Sequence, residues 1–327
     1  MADMTPPSGA DEFLERAGWG GAEVSPLAGD ASFRRYFRVR RGPDAAVLMD
    51  APPPHEDPRP FLAVGGWLAE RGFGAPRILA SDLARGLVLL EDFGDARMRE
   101  AADAEPGRVD ALYGAAVDVL VDLHRHAAGP LEPYDRDVLH REAALLVEWY
   151  CPAVGLDVDA GGYRAAWDEV FAHALASEPV TVLRDYHAEN LMLLGTVDHP
   201  RLGLLDFQDA LAGHPAYDLV SLLQDARRDV EPELEGRMLR RYAEATGAGD
   251  DFLRAYHVLG AQRNAKIVGI FTRLWRRDGK PRYPALCPRV WRYLQHDLAQ
   301  PVLAPVARWF DANVPPGKRG DPMALAA

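Results

Sequence analysis

Leu183-Arg184-Asp185-Tyr186-His187-Ala188-Glu189-Asn190, followed by Leu191-Met192-Leu193-Leu194 and then by Leu202-Gly203-Leu204-Leu205-Asp206-Phe207, sets the architecture expected of this chain. Residues 180–183 are an apolar lead-in, 184–190 a polar loop, 191–194 a second apolar run, 195–200 a turn and 202–205 a third apolar run. That order spells a short strand, a loop and a hairpin. The hairpin delivers Asn190 and Asp206 from adjacent strand ends. Their two hard oxygens can converge on a cation whose other positions are filled by water or phosphate oxygens. An Asp and an Asn five positions apart occur roughly once by chance in a chain of this length. The apolar framing, and not the pair, therefore carries the inference.

Magnesium-assisted phosphoryl transfer needs a carboxylate to take the acceptor's proton, then an amide and a second carboxylate to hold the metal, in this order along the chain. Asp185 is thus the expected catalytic base. Asn190 and Asp206 are the expected Mg2+ ligands, with ATP as co-substrate. His187 is expected to hold the loop's shape rather than move protons. Asp218, in Tyr217-Asp218-Leu219, is placed to cap the helix that follows and to bond loop amides, which makes it structural support.

Working outward toward the amino terminus, residues 1–10 read as a polar tail and 11–17 as a short helix. Residues 32–40 alternate, with Phe33, Arg35, Phe37 and Val39 on one strand face and Arg34, Tyr36, Arg38 and Arg40 on the other. A turn at Arg41-Gly42-Pro43-Asp44 leads to a partner strand over 45–50. Pro52, Pro53 and Pro54 stop the ladder before a helix over 59–71, and 76–80 with 86–91 make another strand pair. From residue 109 the period is helical: 109–126, 137–150, 162–177, 219–225, 233–246, 251–275 and 290–298, with a loose tail after Val314. The expected fold is α+β and bilobal, protein-kinase-like, with a small β-rich N-lobe over 1–94 and a larger, mainly helical C-lobe over 95–327.

The bulk numbers bound the function. The chain has 327 residues, 48% of them hydrophobic, enough for a large core. It carries 37 basic against 49 acidic residues, a net charge of −12, so neither a general nucleic-acid binder nor an anionic-membrane binder is expected. Cys151 and Cys287 have no paired spacing, which speaks against a disulfide framework or a zinc site. No run reaches the length of a membrane span and the start lacks a signal-peptide pattern, so a cytoplasmic location is expected, and the chain is taken, apart from these features, as a monomer.

These residues resemble the aminoglycoside-phosphotransferase-like small-molecule kinases, and within them most closely the anomeric N-acetylmuramate/N-acetylglucosamine kinases of cell-wall recycling. The matching segments are Leu27-Ala28-Gly29-Asp30-Ala31-Ser32-Phe33-Arg34-Arg35-Tyr36, Leu48-Met49-Asp50-Ala51-Pro52, residues 142–150, Asp206-Phe207-Gln208-Asp209-Ala210 with Tyr217-Asp218-Leu219, and residues 271–283. The resemblance implies transfer of the γ-phosphoryl group of ATP to the C1 hydroxyl of an amino sugar. Gly29 and Ser32 stand where a glycine-rich phosphate loop is usual, and Met49 stands near the place of the usual phosphate-binding lysine. Arg34 or Arg38, on the polar strand face, is the expected replacement. Glu91 and Phe93, in the link after the sheet, lie where adenine is expected to meet the chain. Glu142, Arg263 and Lys266 are candidates for binding the acceptor, since a muramic carboxylate favours Arg or Lys. Leu183 stands where many kinases carry His. Two alternatives stay open: another acceptor, such as choline or an aminoglycoside, and a silent kinase-like module that binds nucleotide.

Overall fold

The computed structural model describes residues 5–27, 34–195 and 201–326. They fall into two compact units, Met1–Pro106 with Glu189–Asp209, and Gly107–Ala188 with Ala210–Ala327. The first unit is built on an antiparallel sheet of β1 (Glu23–Leu27), β2 (Arg35–Arg41), β3 (Asp44–Asp50), β4 (Ile78–Asp82) and β5 (Leu87–Glu91), in the order β1-β2-β3-β5-β4. The alternation read in β2 sets the register: Phe37 faces Leu48, Val39 faces Ala46, and Leu48 faces Leu89. These side chains close over Phe13 and Leu14 of the Ala10–Arg16 helix in one buried cluster. β1 was not foreseen, because Pro26 breaks its strand pattern. It lies at the sheet edge, where a missing N–H costs no ladder bond.

The Arg59–Glu70 helix begins with Pro60 in its first turn and buries Phe61, Val64, Gly65 and Leu68, the spacing of a single face. Residues 189–209 return to this unit. Leu191–Leu193 pairs with Leu202–Leu204, and both outer edges of that hairpin are filled by main chain. Leu204 N–H donates to Gly74 O at 2.7 Å and Leu193 N–H donates to Ala96 O at 2.7 Å. Two glycines allow the approach. A Cβ on Gly74 would lie 2.3 Å from Leu202 O, and one on Gly203 would lie 2.7 Å from the Phe93 ring. The division drawn from the sequence at residue 94 differs from these units, since the bonds to Gly74 and Ala96 join the hairpin to the sheet-bearing part.

The second unit is helical around Asp250–Arg276, whose central residues are buried on nearly every side, including the polar run Gln262-Arg263-Asn264. The helix expected over 137–150 runs from Arg136 to Ala143 and then opens into a π-helical turn, Leu146–Tyr150. Gly269 of the long helix lies so close to Leu145 that a Cβ there would be 2.3 Å from the Leu145 carbonyl carbon. The segment after Val314 is not a loose tail: Tyr150 Oη donates to Lys318 O at 2.7 Å and accepts from Gly320 N–H at 2.8 Å. Those bonds run to backbone atoms, so no side-chain pattern could announce them. Among the described residues no helix is long and apolar enough to cross a membrane.

Candidate active site

The short strand Val180–Val182 pairs with Leu211–Gly213 and feeds the loop that carries Asp185. Asp218, fully buried in the first turn of the Ala216–Leu223 helix, grips the entry to that loop. One of its oxygens accepts from Leu183 N–H at 2.6 Å and the other from Arg184 N–H at 2.8 Å. Burial pushes its pKa up to about 7 against the opposing pull of those two amides. The amide bonds expected of Asp218 are present, while the helix start itself holds Pro215 and no side-chain cap. Arg184 then takes φ 71°, a left-handed conformation uncommon for so long a side chain. Asp185 N–H donates to Leu183 O and His187 N–H donates to Asp185 O, so two three-residue turns fold the loop tightly.

Burial works against a charge on Asp185, yet neighbouring cations win and hold its carboxyl below the usual carboxylate range. His187, Lys266, Arg263 and Arg184 all act in that direction. At neutral pH the charge comes from the last three, because burial drops His187 to about 4. His187 Nε2 lies 3.2 Å from Arg227 Nη1, which can only donate, so this ring nitrogen is the acceptor. Its role here is to tie the loop to residue 227.

The residues offered to an acceptor from sequence are bonded within the protein. Glu142 is nearly buried and receives Lys266 Nζ at 2.8 Å, the Arg184 guanidinium and the Tyr134 hydroxyl. Burial opposes its ionisation, but Lys266 and Arg184 hold its pKa at about 2. Arg263 is 4% exposed and donates through Nη2 to Ser221 Oγ at 2.8 Å.

In the first unit, Leu205 N–H donates to Asn190 O at 3.0 Å, which sets Asn190 across from Leu205 and one residue short of Asp206. Asp206 has φ 59°, a conformation that Asp tolerates better than most residues. Phe207 stacks on Phe61 at 4.8 Å, and Gln208 Nε2 donates to Asp206 Oδ1 at 2.8 Å, so the residue after the acid and the acid's own carboxylate are both held. A side-chain amide oxygen and a carboxylate, the groups that Asn190 and Asp206 carry, are hard donors of the kind that suits a small divalent cation.

Gly29 and Ser32 lie outside the described residues, as do residues 196–200 of the expected turn. Of the two arginines, Arg38 is taken up by the link: Nε and Nη2 meet both oxygens of Asp92 at 2.7 and 3.1 Å, and Nη1 meets Asp95 at 3.0 Å. Arg34 lies 3.3 Å from Glu56 beside Tyr36. Burial raises the Tyr36 pKa to about 12, with Asp206 and Glu56 adding to the rise and Arg34 opposing it, so Arg34 shares the field of the second acid. Arg34→Ala is therefore expected to weaken ATP affinity about 10-fold, the size of one charged hydrogen bond. Arg38→Ala instead strips the nearly buried Asp92 side chain of its charged partner, leaving it the Gly94 N–H at 2.8 Å, and should cost about 1–3 kcal/mol of stability. Equilibrium nucleotide binding and denaturant midpoints, measured on both variants, check the division. Glu91 accepts from Arg77 Nε at 3.0 Å, and Phe93 packs against Gly203.

Residues 23–256 match the model of the phosphotransferase enzyme family. The chain belongs to that family. A Pseudomonas aeruginosa protein named N-acetylmuramate/N-acetylglucosamine kinase is 42% identical over 94% of this chain and 94% of its own length. A Caulobacter vibrioides protein of the same name is 40% identical over 93% of this chain and 95% of its own. A solved choline kinase from Streptococcus pneumoniae covers 90% of this chain and 98% of its own at a TM-score of 0.64 and 12% identity, which is a likeness of fold. Membership in a phosphotransferase family that uses ATP implies a divalent metal.

For this phosphotransferase, sequence reasoning passed over Gln208, Tyr134 and the conformation of Arg184. Gln208 stands two residues after a candidate metal ligand, a signal that was available. Tyr134 lies eight residues before Glu142 with nothing in the pattern to connect them.

Proposed function

We propose that this phosphotransferase transfers the γ-phosphoryl group of ATP to the anomeric C1 hydroxyl of N-acetylmuramate or N-acetylglucosamine. The observation that carries the reading is the 42% identity, across 94% of both chains, to a relative named for those two sugars. Asp185, kept ionised by Lys266, Arg263 and Arg184, orients the C1 hydroxyl and accepts its proton. Asn190 and Asp206 would hold Mg2+, with Gln208 aiming the Asp206 carboxylate. An ion held there would neutralise charge that builds on the phosphate oxygens. An anomeric hydroxyl is more acidic than an ordinary alcohol, so the demand on the base is modest. Arg34 is assigned to the phosphates. A protein that works on a cytoplasmic nucleotide belongs in the cytoplasm, and we take it to act there as a monomer.

The test is an acceptor panel with ATP and Mg2+, read by NMR of the product, which reports the acceptor and the phosphorylated position together. The expected product is an amino-sugar 1-phosphate. Phosphorylation of choline or an aminoglycoside with none of the amino sugars would reject the assignment. ATP binding without transfer to any acceptor favours the silent module.

A further inference from the structure

We propose that Glu142 is a positioning residue that holds Asp185 through Arg184, and that it does not contact the sugar. The proposal rests on the reading of Asp185 as the base. Four donors fill the Glu142 carboxylate. Oε1 accepts from Arg184 Nη2 and Lys266 Nζ, and Oε2 accepts from the Tyr134 hydroxyl and from Gln262 Nε2 at 3.4 Å. An ionised carboxylate offers about four lone-pair positions, so a sugar hydroxyl would have to displace one of these donors.

Three of the donors, Arg184, Tyr134 and Lys266, are themselves joined in a ring through Tyr217. The Arg184 guanidinium lies over the Tyr134 ring at 5.8 Å, and Tyr134 packs edge-on against Tyr217 at 5.0 Å. The Tyr217 hydroxyl accepts from Lys266 at 3.2 Å, and Lys266 returns to Glu142. The ring closes on a backbone under strain. Arg184 holds φ 71° immediately before Asp185, and a long side chain keeps that angle only when its surroundings enforce it. Asp218 fixes the amide of Arg184, and Glu142 fixes the far end of its side chain. Releasing Glu142 lets φ of residue 184 relax, which turns the next peptide and swings the Asp185 carboxylate. Charge agrees with geometry: Arg184 and Lys266, two of the three cations that keep Asp185 ionised, are the two that bond to Glu142.

Misplacing a catalytic group by about 1 Å costs roughly 10²-fold in rate, whereas losing a sugar contact raises KM. Glu142→Gln keeps the shape and an acceptor oxygen, and in the full-length protein it is expected to lower kcat by about 30-fold or more. The amino-sugar KM should stay within about 3-fold of the parent value. The double variant with Arg184→Met should be no worse than the worse single, because both cut the same tether. A KM raised about 10-fold with kcat kept, or additive losses in the double variant, overturns the proposal. Should Glu142→Gln fail to fold, Tyr134→Phe removes one donor and keeps the ring. It is expected to lower kcat at unchanged KM, and a rise in KM alone overturns the proposal equally. The split is measured with whichever acceptor the parent chain phosphorylates, so a wrong sugar assignment does not decide the role of Glu142.

Discussion

Asp185→Asn is expected to lower kcat by about 10²-fold or more while leaving ATP affinity within about 3-fold. The substitution keeps size and a hydrogen-bonding oxygen but removes the carboxylate proposed to accept the proton. The loss belongs at the lower end of the range for a general base because the anomeric hydroxyl is already acidic. The same carboxyl predicts the pH behaviour. Burial is outweighed by Lys266, Arg263 and Arg184, so the Asp185 pKa lies below the ordinary carboxylate range. The base is therefore ionised from above that range upward. Any loss of rate through its protonation comes only as pH falls below the ordinary carboxylate value, and none comes from this group as pH rises. Steady-state kinetics of the variant, with nucleotide binding measured separately, test both statements. Undiminished turnover removes the assignment of the base.

Legibility followed the kind of interaction that fixes each element. β2 was readable because its residues alternate, and β3 because the turn at Arg41-Gly42-Pro43-Asp44 hands the chain to an apolar run; burial of Phe37, Val39, Ala46 and Leu48 sets the register between them. The helices from Val109 onward were readable from their pattern too, at the helical period. Their bounds moved where backbone contacts intervene, as at the π-helical turn packed by Gly269. β1 was hidden by Pro26, and the segment after Val314 by bonding through its carbonyls and amides. The hairpin carrying Asp206 was foreseen, but its return to the sheet-bearing unit depends on Gly74 and Ala96 main-chain atoms that carry no side-chain code.

At the candidate site, the residue types announced the chemistry and said little about who holds whom. Asp185, Asn190 and Asp206 stood out because their order matches a reaction. Glu142 and Lys266 were noticed as charges and offered to a substrate, since a sequence shows a charge but not the partner that neutralises it. Burial is what separates the two readings. A lysine and an acid 124 positions apart in the chain are bonded at 2.8 Å, and neither is open to solvent over more than a small part of its side chain. The same blindness made Arg34 and Arg38 look equivalent on one strand face, until Asp92 and Asp95 were found to occupy Arg38.

Asp206→Asn is expected to lower kcat by about 10³-fold, because metal stabilisation of transition-state charge is worth several kcal/mol. Asparagine is the informative replacement. It tolerates the left-handed φ of 59° as aspartate does, so the backbone need not move. It also leaves an oxygen for Gln208 Nε2 to reach. What disappears is the charge on the residue proposed to hold the metal. The half-saturating Mg2+ concentration should accordingly rise about 10-fold or more, and excess metal should recover part of the rate. The removed anion also acts on Tyr36, whose pKa of about 12 is supported by burial and then by Asp206. Loss of that support should bring the tyrosine's titration down, an effect visible in its ultraviolet difference spectrum without any turnover. A variant with parent-like metal dependence and full rate would remove Asp206 from the metal. A shift of the Tyr36 titration in that same variant would leave its place beside the strand intact.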